Sequence, residues 1–220
     1  MAFGIPSTSG GKPLNHLPGQ GAFAIPTNVQ RIAEQGLWSA FRFPAGTSIS
    51  GTNPRFFSVQ LGAQGQGFAQ PMSFSETNQQ VANQSPGDET YEISAIAAEI
   101  LGAPGVEASV GDIRLFQRLG CLRWEFGSVL IDVAPLSMIG AGGGVYGATA
   151  NTAAGTTFAN SGNGGLWLYT GVVIAVPSTQ RFAQILAMGT GGQSAALAPV
   201  SETHLRITLF NMSRTAVPIA

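Results

Sequence analysis

Charge is what this 220-residue chain has least of. Asp, Glu, Lys and Arg make up 10% of it, against about 25% in an average soluble protein. The shortage is uneven. From Val133 to Ser201 the only charged side chain is Arg181. A soluble surface normally carries enough charge to keep copies of the protein apart. A long uncharged stretch of amides, hydroxyls and aliphatics therefore suggests surface that ends up against other copies. Disorder is excluded, because disordered segments are poor in large apolar residues and this chain is 44% hydrophobic with 13 Phe. A membrane span is excluded too. The longest apolar run, Leu166 to Val176, is about half the roughly 20 residues a spanning helix needs.

Lysine is almost missing as well. Lys12 is the only one, and every other cation is an arginine. Arginine suits cations that are partly buried or make forked contacts, which leans towards interfaces. The formal net charge of −1 provides no overall basic field for nucleic acid. The single cysteine, Cys121, excludes an internal disulfide. No apolar stretch near the N-terminus is long enough for a secretory signal, and Pro6, Pro13 and Pro18 interrupt it. The expectation is a product made in the cytoplasm, in which the sequons at Asn83 and Asn211 carry no weight.

Chemistry is equally sparse. The only histidines are His16 and His204. Neither lies at ligand spacing from the other or from Cys121, and no G-x-S-x-G elbow is present. Gly142-Gly143-Gly144-Val145-Tyr146-Gly147 formally matches G-x-G-x-x-G, but no strand–helix unit surrounds it to hold a pyrophosphate. Asp88 with Glu89, and Glu99 with Glu107, could pair as glycosidase carboxylates, yet they sit beside turns where solvated acids are ordinary. Arginines among aromatics at Trp38–Phe43 and Arg55–Phe57 suit a stacking platform. They suit a strand with one buried aromatic face better. No catalytic, cofactor or metal residue is expected.

What is present is strand. Residues 31–220 read as one domain, long enough to bury roughly 70% of its unfolded surface. They follow an extended arm, residues 1–30, in which Phe3-Gly4-Ile5-Pro6 is echoed by Phe23-Ala24-Ile25-Pro26. The anchors Phe3, Ile5, Phe23 and Ile25, together with Arg181, are the expected interface residues. Strand-like runs cover Trp38–Phe43, Arg55–Leu61, Pro71–Glu76, Thr90–Leu101, Leu166–Val176, Gln180–Met188 and Thr203–Asn211. In the last, Leu205, Ile207 and Leu209 alternate with polar residues, so one face is buried. Ser109 as cap, Asp112 three residues on and apolar Val110, Ile113 and Phe116 predict one short helix ending at Gly120. Residues 137–165 are Gly, Ala, Thr and Asn, too long for an ordinary loop.

The sharpest local expectation is a hairpin. Cys121–Phe126 and Val129–Ala134 flank Gly127-Ser128, a signal for a two-residue type II′ turn. That turn sets Phe126 opposite Val129, Trp124 opposite Ile131 and Leu122 opposite Val133 on one side. It sets Arg123 opposite Asp132 on the other. The strand spacing favours a sandwich or jelly roll.

With these elements placed, the chain resembles a known family over roughly residues 55–147. The run Phe56-Phe57-Ser58-Val59-Gln60-Leu61-Gly62-Ala63-Gln64-Gly65-Gln66-Gly67 precedes Glu76-Thr77-Asn78. The Pro86-Gly87 turn, the strand Thr90-Tyr91-Glu92-Ile93, the helix opening at Asp112-Ile113, the Trp124 hairpin and Pro135-Leu136 follow, leading to Gly142-Gly143-Gly144. This order is similar to that of jelly-roll capsid proteins of tailless icosahedral bacteriophages. The resemblance implies a structural shell subunit without catalytic residues or cofactors, found in the virion. Its partners would be copies of itself, as trimers or pseudo-hexamers, other capsid proteins and, in some such phages, an internal viral membrane. No sequence-specific nucleic acid is among them. A double jelly roll needs about sixteen strands and roughly nine are present. The expected fold is therefore all-β: a single jelly roll, an antiparallel β-sandwich with one short helix and long Gly/Ala/Asn-rich loops. The alternative is a non-enzymatic β-sandwich binding module, a carbohydrate-binding or adhesive domain. A hydrolase on a β-scaffold would need clustered carboxylates or histidine.

Overall fold

A computed structural model describes residues 29–85, 89–104, 108–140, 148–151, 156–159, 167–168, 174–177, 180–192 and 197–216. The strands are β1 (Val29–Phe43), β2 (Arg55–Phe56), β3 (Glu89–Gly102), β4 (Gly120–Phe126), β5 (Val129–Pro135), β6 (Ala148–Asn151), β7 (Thr156–Ala159), β8 (Trp167–Leu168), β9 (Ile174–Val176), β10 (Phe182–Met188) and β11 (Thr203–Ala216). The helix α1 spans Val110–Leu119. One sheet runs β1-β11-β3, with β8 and β9 both on the far side of β3. The other runs β2-β10-β4-β5, and β6 pairs with β7 alone.

The pairings nest. β1 pairs with β11, β2 with β10, β3 with β8 and β9, and β4 with β5, all antiparallel. Apart from the β6–β7 hairpin that lies between β5 and β8, the chain is thus one long hairpin whose tip is Gly127-Ser128. Rolling that hairpin adds the pairs β11·β3 and β10·β4, which closes two sheets over one core. This is a single jelly roll, as expected from the strand spacing.

Alternation decides which faces are buried. In β11, Leu205, Ile207 and Leu209 are buried while His204, Arg206, Thr208 and Phe210 are only partly so. They meet Ile100, Ala98 and Ile96 of β3 in register. From the opposite sheet come Trp124, Leu122, Phe182 and Leu186. α1 closes one end, with Ile113, Phe116 and Leu119 buried. Its cap is the expected one: the Asp112 backbone N–H donates to Ser109 Oγ at 3.0 Å. Gly120 ends the helix in extended geometry, so the chain passes straight into β4.

The tip also forms as expected. Gly127 has φ +60° and Ser128 is not in the left-handed region, which is the type II′ signature. Phe126 faces Val129, Trp124 faces Ile131, and Arg123 faces and ion-pairs with Asp132. Beyond Arg123 a bulge intervenes, and Leu122 faces Ala134 rather than Val133. The extra residue returns small, buried Ala134 to the inner face.

Three expected strands are corrected. Among the described residues Leu166–Val176 holds two short strands, Trp167–Leu168 and Ile174–Val176. Only Arg55 and Phe56 of Arg55–Leu61 join a sheet, and Pro71–Glu76 is turn rather than strand. Both belong to a long connection, residues 57–85, that does other work. It covers the free edge of β1. Asn78 acts as a substitute peptide unit: its Oδ1 accepts from Trp38 N at 2.8 Å and its Nδ2 donates to Gly36 O at 2.7 Å. Ala40 N donates to Glu76 O at 2.7 Å and Arg42 N to Gln66 O at 2.9 Å. An open edge invites pairing with another chain, and a covering loop prevents it. Gly67 in this connection has φ +81°, and a Cβ there would lie 2.2 Å from Arg42 O. Only glycine lets the loop come this close.

One core position is polar without compensation. Gln184 lies on the inward face of β10, opposite Phe56 and Trp124, fully buried. Both atoms of its amide lack a hydrogen-bond partner among the described residues. A buried amide left unpaired costs about 1–3 kcal/mol. Gln184→Met, similar in shape, should raise stability by about 1 kcal/mol, or about 2–4 °C in Tm for a domain of this size. A lower Tm in a thermal melt would refute this account of the site.

Candidate interaction surface

The edges of the jelly roll differ sharply. β1 is covered as described above. Among the described residues nothing pairs with β5 beyond β4. The two-residue turn makes Phe126 and Val129 a hydrogen-bonded pair, so the N–H and C=O of Leu130 and Asp132 point away from β4. The side chains are open too: Val129 is 55% exposed, Leu130 56% and Ile131 49%. Successive residues point to opposite faces, so β5 shows exposed apolar side chains on both faces and, among the described residues, an unpaired backbone edge. Sequence reasoning placed Val129 and Ile131 on the same side as Phe126 and Trp124. The register it used holds there, but the strand lies at the margin of the sandwich. The visible signal was three consecutive apolar residues where a half-buried strand alternates.

Other large apolar side chains are exposed singly. Phe74 sits edge-on to Trp38, ring centroids 4.8 Å apart, and its carbonyl accepts from the Trp38 indole N–H at 2.9 Å. Met138 and Val200 are also exposed.

The charged groups are largely paired with one another. On the outer face of the first sheet Arg206 pairs with Glu99, and Arg42 with Glu202. His204 Nε2 lies 3.0 Å from Glu202 Oε1, and its ring meets Phe68 at 5.2 Å. The hydrogen bond from Arg42 is the main reason the Glu202 carboxyl is held down at about 2; burial opposes it, and His204 adds to it. Arg42 also donates to Gly67 O at 3.2 Å, so this cluster fastens the covering loop to β1 and β11. On the second sheet Arg55 pairs with Glu125. Asp112 is buried and accepts three hydrogen bonds from Val200 and Ser201. The S-x-x-D spacing marked it as part of a helix cap and missed this second role. Burial, and then the charge of Asp132, push the Cys121 thiol up, which makes it a poor nucleophile.

Of the residues singled out from sequence, Arg181 is exposed and stands beside the tip, where its carbonyl accepts from Gly127 N at 3.3 Å. It therefore neighbours the open end of β5. Phe3, Ile5, Phe23 and Ile25 lie outside the described residues, as do His16, Asp88, Glu107 and the glycine run 142–147. Among the described residues no three His, Cys, Asp or Glu side chains are grouped to hold a metal. No helix there is long and apolar enough to cross a membrane. The chain matches no protein-family model, no curated protein and no solved structure. What the arrangement offers chemically is main-chain hydrogen bonding and apolar contact along one edge.

Proposed function

We propose that this protein is a structural, non-enzymatic subunit of an icosahedral bacteriophage capsid, acting in the virion through contacts with its own copies. The observation that carries the reading is the jelly roll whose second half, Val133 to Ser201, holds one charged side chain. A fold of this kind serves shells and lectins alike, so the surface has to decide. Charge repels copies, and here it is withheld over 69 consecutive positions. Obligate assemblies bury about 2,000 Å² or more, which needs uncharged surface on this scale. Trimers or pseudo-hexamers, other shell proteins and an internal viral membrane are the partners this reading supplies.

The experiment is size measurement by light scattering, with electron microscopy of the same sample. Closed particles or capsomers are expected. A monodisperse monomer at high concentration would overturn the proposal. Removing residues 1–20 should leave the melting transition in place and reduce the yield of closed particles. Loss of the folded domain on this deletion would instead place the arm in the core.

The exposed Phe74 ring beside Trp38 favours a second reading, a carbohydrate-binding or adhesive module, since exposed aromatics are what such sites stack on sugars. Monomeric protein with glycan binding that Phe74→Ala abolishes would establish it.

A further inference from the structure

The open edge of β5 needs an occupant, and the N-terminal arm contains one of the right pattern. We propose that Phe3-Gly4-Ile5-Pro6 of the same chain adds as a fifth strand to the β5 edge, pairing with the outward N–H and C=O of Leu130 and Asp132.

Three observations support this choice over a second copy of β5. The first is size. The exposed stretch from Val129 to Asp132 is four residues long, against about 20–30 residues a side in a standard interface. Two such edges cannot hold two free molecules together. A tethered segment needs far less contact, because its effective concentration is in the millimolar range for a flexible link.

The second is where the arm starts. Val29 pairs with Ala216, and the adjacent Thr215 pairs with Glu89. Ser85 Oγ donates to Glu89 O at 2.8 Å, and Asn83 O accepts from Phe182 N at 2.7 Å. Phe182 lies opposite Phe126, which lies opposite Val129. The arm therefore leaves the sandwich at the end that carries the β4–β5 turn.

The third is reach, which separates the two echoes. β1 lies against β2, with the Phe41 and Phe56 rings 6.0 Å apart, so β5 is at the opposite side. The direct distance across, with three strand spacings at right angles to one sheet spacing, is roughly 17 Å. Thr27 and Asn28, the link from Pro26 to Val29, span about 10 Å, so Phe23–Pro26 cannot lie along β5. Residues 7–28 can span about 75 Å, so Phe3–Pro6 reaches with slack.

The pattern fits strand addition. Phe3 and Ile5 are two apart and share one face of a strand, the face of Val129 and Ile131. Gly4 falls on the face that carries the Arg123–Asp132 pair. With Phe3 beside Val129 and Ile5 beside Ile131 the segment runs parallel to β5, so its bonds come from Phe3, Ile5 and Ser7, and the nitrogen of Pro6, which has no hydrogen to donate, faces away from β5. This claim concerns the single chain and does not rest on the shell reading.

Amide hydrogen exchange on dilute, unassembled full-length protein tests it. The Leu130 and Asp132 amides should exchange at least about tenfold more slowly in the intact chain than in a Phe3→Ser/Ile5→Ser variant. A Phe23→Ser/Ile25→Ser variant should match the intact chain. The Trp124 and Leu205 amides, paired within the sandwich, serve as the control that each variant is folded. Three results would overturn the proposal: no protection of Leu130 and Asp132 in the intact chain, protection that survives the Phe3/Ile5 substitution, or protection that rises with protein concentration, which would identify a second copy. Particle formation is scored separately, so a protein that never assembles still answers this question.

Discussion

Trp124→Ala is expected to destabilise the protein by about 3–5 kcal/mol, the cost of emptying a large aromatic site in a packed core. Domains are stable by only about 5–15 kcal/mol, so this is about a fifth of the total or more. In a domain of this size it corresponds to a fall in Tm of roughly 6–20 °C. Trp124 is 1% exposed. It stacks on Phe126 at 5.3 Å and lies 6.2 Å from Phe182. It also faces Ile131 across the hairpin. Its loss therefore loosens β4 from β10 and from β5 together. Arg123→Ala, one residue away, is expected to cost less than about 1 kcal/mol, because the Arg123–Asp132 pair is exposed and screened. Chemical denaturation of both variants checks the contrast. Equal losses would mean that the hairpin is held by its outer face and not by the core.

The hairpin shows what was legible in the sequence and what was not. Its turn was, because Gly127 is needed at a positive φ and the two-residue loop fixes register beside it. The helix was, because cap, apolar period and terminal glycine agree over Ser109–Gly120. β11 was, because Leu205, Ile207 and Leu209 alternate with polar residues, and β3 was, because turn residues bound an apolar-rich run from Thr90 to Leu101. The bulge that exchanges Val133 for Ala134 was not: both residues are apolar, and one extra residue leaves no mark in a pattern already ending. The exposure of β5 was not either, since what covers a strand is decided by sequentially distant neighbours. The covering loop was misread for a different reason. Asn78 and Gln66 supply strand-like hydrogen bonds from side chain and loop backbone, so Pro71–Glu76 needed no strand geometry to serve a strand edge. The interface anchors assigned in the arm rest on sequence alone.

Asp112→Ala is the second large effect expected, at about 2–4 kcal/mol, since hydrogen bonds to a charged group contribute about 1.5–3 kcal/mol each and do not add fully. Its Oδ1 accepts from Val200 N at 2.7 Å, and its Oδ2 accepts from Ser201 N at 3.0 Å and Ser201 Oγ at 2.6 Å. These bonds tie α1, which follows β3, to the segment that opens β11. Burial alone would raise the carboxyl, but the bonds from Ser201, Val200 and Ser109 outweigh it and hold it below the usual range. A depressed carboxylate stabilises the fold at pH values above its unfolded pKa, about 3.9, and that contribution disappears as pH falls through the folded value. Glu202, held at about 2 chiefly by Arg42, acts in the same direction. The intact protein should therefore lose stability steeply below about pH 4. Asp112→Asn keeps one acceptor but no charge, so it should cost less than Asp112→Ala at pH 7. The gap between the Asn variant and the intact protein should close as the pH falls below about 4. Urea denaturation of the three proteins from pH 7 to pH 2.5 measures this. A gap that stays constant over that range would mean the Asp112 carboxylate charge contributes nothing to holding α1 against Val200 and Ser201.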